Sequence, residues 1–455
     1  MGLINSILTW VMKKRIHDIE LFMKYPLEVQ DELFLKLIAR GKDTGVPVQK
    51  YEELYPYIKR IMQGEQNVLW PTDITWFAKS SGTTNARSKF IPVSPEALEE
   101  CHFKGGKDLI SIYINNYPDS RMFTGKGLAI GGSHQINEYD PGANSYYGDV
   151  SAVIMKNLPL WAQIIRTPSL DVALMDKWEE KIEKMARITM EQNVTSLSGV
   201  PTWTILLIQR ILELKNTDNL LDVWPNIEVF FHGAVAFTPY RSLFQKLIPS
   251  HQMRYVETYN ASEGFFGIQD QIGSSELLLM LDYSTNSGLW RYSIGDTVVF
   301  TSVKPYRVKI SGRTKHFINA FGEELIIENA ESAITDACTH TNAIIDNFTA
   351  APIFFSDNKR ARHEWIVEFR QTPDDPDNFN KILDARLREI NSDYDAKRYK
   401  DMALIEPLIH HVPQGTFYNW MKKRNKLGGQ NKVPRLSNNR EYVESILEMI
   451  REKKH

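Results

Sequence analysis

Ile227-Glu228-Val229-Phe230-Phe231 runs into His232-Gly233-Ala234, and Arg254-Tyr255-Val256-Glu257-Thr258 runs into Tyr259-Asn260-Ala261-Ser262-Glu263-Gly264. Each is a short run of β-branched and aromatic residues that gives way to small or polar ones, which reads as a strand ending in a loop. Around them the spacing changes. Trp178, Ile182, Met185 and Ile188 share one face of an amphipathic helix over 176–192. Val194 to Val200 reads as a strand running into Pro201, and Trp203 to Leu214 as a helix. Helices alternating with such strands predict an α/β domain. In open α/β sheets ligands gather at the carboxyl ends of strands, so the polar ends at 232–234 and 259–264 are where chemistry is expected.

Outward from this centre, residues 3–40 carry apolar positions at helical spacing, and 94–117 predict a further helix with Ser94 as cap and Pro95 at its first position. The stretch 124–150, rich in Gly, Asn, Tyr and Ser, reads as strands and loops. Beyond residue 275 come short strands at 277–281, 290–292, 297–300 and 306–310, then a polar break at Gly312-Arg313-Thr314-Lys315. Helices near 326–337, 377–391 and 439–452 follow. In a strand at 363–370, Trp365, Val367 and Phe369 alternate with polar residues. These readings divide the chain into a large domain, 1–311, and a small α+β domain, 312–455, with the boundary at 311–316.

The bulk numbers exclude several classes. The 455 residues are 42% hydrophobic and 24% charged, which is globular composition. A net charge of -2 supplies no overall attraction to nucleic acid or an anionic membrane. No run approaches the ~20 apolar residues of a membrane span. Two cysteines, Cys101 and Cys338, make no disulfide framework and have no metal-ligand spacing, so a reducing, cytoplasmic compartment is expected. Oligomeric state has no signal.

Five polar stretches carry candidate chemistry. Ser80-Ser81-Gly82-Thr83-Thr84-Asn85-Ala86-Arg87-Ser88-Lys89 gathers hydroxyls around one glycine and ends in lysine, a composition suited to phosphate oxygens and equally to an ordinary turn. In Tyr259-Asn260-Ala261-Ser262-Glu263-Gly264 a carboxylate at a strand end can hold Mg²⁺ against phosphates, or simply face water. Tyr292-Ser293-Ile294-Gly295-Asp296-Thr297-Val298 offers an acidic residue for ribose hydroxyls, or a hairpin turn. Gly312-Arg313-Thr314-Lys315 is a basic boundary segment or a charged surface loop. Lys426-Leu427-Gly428-Gly429-Gln430-Asn431-Lys432-Val433-Pro434-Arg435 is a glycine-hinged loop that can swing a lysine onto a phosphate, or a solvated charged face.

Taken in order, these stretches resemble the adenylate-forming superfamily and, within it, the Gretchen Hagen 3 (auxin-responsive) family of acyl-acid amido synthetases. Residues 80–89 are similar to its Ser-Ser-Gly-Thr-Ser-x-Gly-x-x-Lys motif, 259–263 to Tyr-x-x-Ser-Glu, 292–298 to Tyr-Arg-x-Gly-Asp-x-Val, and 430–435 to Gln-x-Lys-x-Pro-Arg. Thr84, Ala86 and Ser293 depart from the family pattern, which has Ser, Gly and Arg there.

The resemblance implies a large N-terminal adenylate-forming domain of mixed sheets and helices with a small mobile α+β cap. It also implies two steps: ATP activates a carboxylic acid as acyl-adenylate, releasing pyrophosphate, and an amino acid's amine then takes the acyl group, releasing AMP. By the same resemblance Ser80, Ser81, Gly82, Thr83, Thr84 and Lys89 cradle phosphates. Gly233 and Ala234 line the adenine with Tyr259 against its face, beside Ser262. Glu263 holds Mg²⁺, Asp296 binds the ribose, and Arg313 supports the nucleotide. Lys432 reaches the α-phosphate, and Thr314 to His316 form the hinge. The acyl pocket is expected within 100–170, where Tyr146, Tyr147 and Trp161 are candidate walls and Arg121 or Arg166 a candidate carboxylate partner. The alternatives are a coenzyme A or other thiol acceptor, and a non-catalytic nucleotide-binding homologue.

Overall fold

In a computed structural model, the described residues are 2–41, 51–80, 89–131, 137–140, 142–175, 177–234, 237–283, 287–289, 292, 294–313, 317–318, 323, 325–353, 361–391, 394–395, 398, 401, 404–427, 432–437 and 439–452. The strands, in chain order, are β1 (Trp76–Ser80), β2 (Lys89–Val93), β3 (Lys126–Ile130), β4 (Asn137–Asp140), β5 (Ser145–Gly148), β6 (Arg166–Thr167), β7 (Val194–Gly199), β8 (Val229–Gly233) and β9 (Arg254–Ala261). They continue with β10 (Gly264–Ile268), β11 (Leu277–Leu279), β12 (Asp296–Val303), β13 (Tyr306–Arg313), β14 (Phe317–Ile318), β15 (Leu325–Ile326), β16 (Ile344–Ile353), β17 (Arg362–Gln371) and β18 (Leu408–Val412).

Nine strands form one mixed sheet in the order β12-β13-β11-β10-β9-β8-β7-β3-β6. The pairs β6/β3, β3/β7, β7/β8 and β8/β9 are parallel, and the run from β9 to β12 is antiparallel. Helices cover both faces, which is why the parallel strands read as nearly continuous apolar runs. On one face Phe230 and Leu197 pack against the helices Trp178–Thr189, Pro201–Lys215 and Arg241–Leu247 through Met185, Ile208 and Phe244. On the other, Val229, Phe231 and Val256 meet the helices Gly2–Lys24 and Lys104–Asn116 through Ile19, Phe22 and Ile112. A separate four-stranded sheet, β2-β1-β5-β4, packs with the helix Tyr51–Met62. Ser94 caps the next helical segment, its side chain accepting from Ala97 N at 3.0 Å, and Pro95 follows it as expected.

The C-terminal unit is a three-stranded sheet, β16-β17-β18. Alternation along β17 sends Trp365, Val367 and Phe369 toward the helices Ile327–His340 and Pro376–Ile390. The intervening residues are not solvated, as simple alternation predicts. Ile366 packs under the helices Thr416–Lys423 and Glu441–Glu452. Glu364 and Glu368 are buried there too, Glu364 paired with His410 and Arg440, Glu368 with backbone N–H groups. A second helical layer covers that face, so its polar residues are satisfied internally.

Several expectations shift. Tyr259, Asn260 and Ala261 continue β9 instead of opening a loop, because β10 folds back on them after a turn at Ser262-Glu263. Gly312 and Arg313 remain in β13, opposite Thr297 and Asp296, so the polar segment does not break the strand there. Tyr292 lies outside any strand, and Trp290 and Arg291 lie outside the described residues. Among the described residues no helix is long and apolar enough to cross a membrane.

Candidate active site

The carboxyl ends of β8 and β9 open into a cleft of about 1070 Å³, walled by the large sheet and its helices on one side and by the C-terminal unit on the other. Ala234, Tyr259 and Asp296 line it from the first side, and Lys432 from the second. The Tyr259 hydroxyl donates to Asp296 Oδ2 at 2.8 Å. Ala234 adopts φ 71°, a left-handed conformation uncommon outside glycine. Its carbonyl accepts the Lys432 ammonium.

Gly233 has a packing reason of its own. A Cβ there would stand 2.5 Å from the Thr258 carbonyl, so a side chain would force β8 and β9 apart. Ser262, 3% exposed, has an Oγ with no hydrogen-bond partner among the described residues. With Glu263 it forms the β9–β10 turn.

The first loop lies mostly out of view. Ser81, Gly82, Thr83, Thr84 and Ala86 fall outside the described residues, as do Ser293, Thr314, Lys315 and His316 and the side chains of Ser80 and Arg313. Its base is described. Lys89 Nζ lies 2.9 Å from the Tyr292 hydroxyl, and over the rings of Tyr51 and Tyr292. Burial pushes the Tyr51 phenol up to about 12, and the charge of Glu263 adds to the shift. Tyr51 therefore neighbours both the end of the first loop and the β9–β10 turn, drawing Lys89, Glu263 and Tyr292 toward one locality. No motif marks Tyr51. Only its contacts reveal it.

Two more residues escape a motif reading. Arg435 donates to the Tyr240 hydroxyl of the large unit while holding Asn347 Oδ1 and the Phe348 carbonyl of its own. It thereby docks the loop that carries Lys432. Glu257, on the same face of β9 as Tyr259, also lines the cleft, and burial pushes its carboxyl up to about 7.

The expected acyl-pocket residues have structural partners. Tyr146 lies tilted against Trp76, Tyr147 meets Phe90 edge-on, and Trp161 packs against the helical core. Arg166 Nη1 donates to the Pro168 carbonyl at 2.6 Å, and Arg121 is exposed. Among the described residues no group of three or more His, Cys, Asp or Glu side chains is placed to hold a metal.

This architecture is shared with solved acyl-activating ligases. The chain superposes on a 2-hydroxyisobutyryl-CoA ligase in complex with 2-HIB-AMP with a TM-score of 0.52 at 8% identity, covering 90% of this chain and 83% of that one. It fits the solved structure of an acyl acid amido synthetase in complex with 2,4-DB more fully, with a TM-score of 0.79, 15% identity and 96% of each chain covered.

The protein belongs to the GH3 family. Residues 43–253 match the GH3 family N-terminal domain, and residues 328–441 the GH3 family C-terminal domain. Among curated relatives it is similar to a putative indole-3-acetic acid-amido synthetase of Arabidopsis thaliana, 30% identical over 121 residues, or 22% of this chain and 20% of that protein. It is also similar to a jasmonoyl–L-amino acid synthetase of Nicotiana attenuata, 26% identical over 159 residues, or 27% of each. These matches span about a fifth and a quarter of the relatives' lengths.

Proposed function

We propose that the protein uses ATP to activate a small carboxylic acid as its acyl-adenylate and then transfers the acyl group to the amine of an amino acid. The observation that most directly supports this reading is the Lys432 ammonium on the Ala234 carbonyl, in the cleft that Tyr259 and Asp296 share. A carboxylate is a poor acyl donor, and making it into an adenylate demands charge stabilisation where the α-phosphate is attacked. A cation carried by a separate structural unit supplies that charge for one step and can withdraw for the next.

In this reading Tyr259 covers the adenine beside Gly233 and Ala234, and Asp296 accepts from the ribose hydroxyls. Ser80, Ser81, Gly82, Thr83 and Thr84 with Lys89 surround the outer phosphates, Ser262 adds an unsatisfied hydroxyl, and Arg313 supports the nucleotide. Lys432 meets the α-phosphate. The segment 312–455 moves about Thr314 to His316 between the steps. Glu263, at the β9–β10 turn, would hold Mg²⁺ together with the substrate phosphates. Such an ion would neutralise charge on the pyrophosphate leaving group. Two free thiols, Cys101 and Cys338, accord with a reducing, cytoplasmic setting.

ATP–pyrophosphate exchange across a panel of carboxylic acids, followed by mass detection of amides with the common amino acids, tests the reading. Exchange with one acid class and an amide product is the expected result. No exchange with any acid, together with no ATP binding by calorimetry, overturns it. Thioester formation with coenzyme A and no amide reassigns the acceptor.

A further inference from the structure

Amide formation has a requirement that adenylation lacks. An amino acid meets the acyl-adenylate as an ammonium ion, which has no lone pair to attack with. A base must take a proton first.

The cleft holds many carboxylates, and most already have partners. Asp346 is paired with Arg370 at 2.7 Å, Glu183 with Arg210 at 2.6 Å, Glu179 with Lys422 at 2.5 Å, and Asp336 with Arg386 at 2.8 Å. Glu368 accepts from the backbone N–H groups of Gly415 and Phe417. Glu328 is exposed. Glu257 and Glu331 differ: neither carboxylate accepts a hydrogen bond from any described residue, and both line the cleft. They come from opposite walls, Glu257 from β9 and Glu331 from the helix Ile327–His340.

Only Glu257 is fixed relative to the nucleotide face. It precedes Tyr259 by two residues, so it projects from the same side of β9, about 7 Å further back along the strand. In register beside it on β8 is His232, 2% exposed, whose Nδ1 has no partner among the described residues. That nitrogen is unused hydrogen-bonding capacity beside Glu257.

We propose that Glu257 is the base that takes a proton from the acceptor's ammonium in the amide-forming step, in the part of the cleft that Lys432 serves during adenylation. The inference rests on the activation reading above. Balance is simple. One N–H proton passes to the Glu257 carboxylate, and the freed lone pair forms the C–N bond to the acyl carbon. The C–O bond to AMP breaks with its electron pair left on the phosphate oxygen. The second nitrogen proton leaves to water.

The charges agree with this order of events. Glu331 is raised to about 7 by burial and by Glu257, and lowered by Arg435 and Lys432. Glu257 is raised to about 7 by burial, against the pull of Arg241. His232 is held neutral beside it by burial and by Arg241. When Lys432 withdraws, Glu331 loses a cation, and an incoming ammonium can take its place. A base poised near the working pH is the efficient one.

The test compares Glu257→Gln with the wild-type chain, using the carboxylic acid that supports exchange. Acyl-adenylate is offered either an amino acid or hydroxylamine, which is uncharged at neutral pH and needs no base. The variant should still support pyrophosphate exchange. Its amide formation should fall by ~10²-fold or more, while hydroxamate formation falls by no more than a few-fold. The wild-type amide rate should also show an acidic limb near pH 7 that the variant lacks. Unchanged amide formation overturns the proposal, and so does an equal fall in amide and hydroxamate. Absence of exchange in the wild-type chain removes the activation reading itself and this inference with it.

Discussion

The Tyr259 hydroxyl donates to Asp296 Oδ2 at 2.8 Å across 37 residues of sequence. Tyr259 comes from the last turn-proximal part of β9, and Asp296 from the first residue of β12, directly opposite Arg313. The bond holds an aromatic face and a carboxylate in fixed relation inside the cleft, and the proposed activation reading places a purine on the first and its ribose on the second.

Tyr259→Phe keeps the ring and removes that bond. One such hydrogen bond contributes about 0.5–1.5 kcal/mol net, so KM for ATP should rise by up to about tenfold. On the proposed activation reading, Asp296→Asn should raise it further, because the carboxylate assigned to the ribose hydroxyls becomes a weaker acceptor. Initial-rate pyrophosphate exchange against ATP concentration distinguishes the two.

Lys432→Ala removes the cation that docks at Ala234. Loss of a single charge-stabilising donor typically lowers a rate by ~10²–10³, and adenylation should fall by that factor. Conversion of a chemically supplied acyl-adenylate to amide should persist, since Lys432 has no part in it. An equal loss in both steps would refute a step-specific lysine.

The alternation of strand and helix through 194–261 was legible because parallel strands buried on both faces advertise themselves as apolar runs. The same rule hid β16 and β18. Ile344–Ile353 carries Asp346, Asn347 and Pro352, and Leu408–Val412 carries two histidines, so neither shows a strand period. Ala234, Tyr259, Asp296 and Lys432 were readable through the ordered motifs that carry the family resemblance, and they line one cleft. Glu257, Tyr240 and Tyr51 were not. Their significance comes from burial and from partners far away in sequence, such as Arg435 for Tyr240, and no local pattern encodes either.

Glu257 and Glu331 also predict a pH dependence. Burial lifts both to about 7, above the ordinary glutamate value, so the folded chain binds their protons more tightly than the unfolded chain does. Their contribution to stability is fully present below the unfolded value and is lost as pH rises to about 7. The difference in Tm between the wild type and a Glu257→Gln, Glu331→Gln double variant should therefore drift in the variant's favour from pH 5 to pH 8. A constant difference would show that neither group titrates in that window.

Arg15 anchors the N-terminal helix. It bonds Asp108 Oδ1 at 2.7 Å and Asp282 Oδ2 at 2.9 Å, and the Asp108 side chain is fully buried. Burial raises the Asp108 carboxyl, and Arg15 opposes the rise. Breaking a buried pair from one side costs about 3–5 kcal/mol. Arg15→Met should accordingly speed hydrogen exchange across residues 2–24. Asp108→Asn in the same background should restore part of the protection by removing the stranded charge.

Glu368 tests how far the cap depends on one carboxylate. It is 5% exposed and accepts from Gly415 N at 2.7 Å and Phe417 N at 2.8 Å, at the start of the helix Thr416–Lys423. Those N–H groups have no intrahelical acceptor, and a negative charge there also meets the positive end of the helix. Alanine would leave the buried Phe417 N–H without a partner, at about 1–3 kcal/mol, and would also free the part-buried Gly415 N–H. That helix packs Phe417 and Trp420 under the sheet and leads into the loop bearing Lys432 and Arg435. Glu368→Ala should therefore loosen residues 408–437 in hydrogen exchange and reduce adenylation, while Glu368→Gln, which keeps one acceptor oxygen, should do less of both. If exchange protection falls and adenylation does not, the lysine loop is positioned independently of the helix that precedes it.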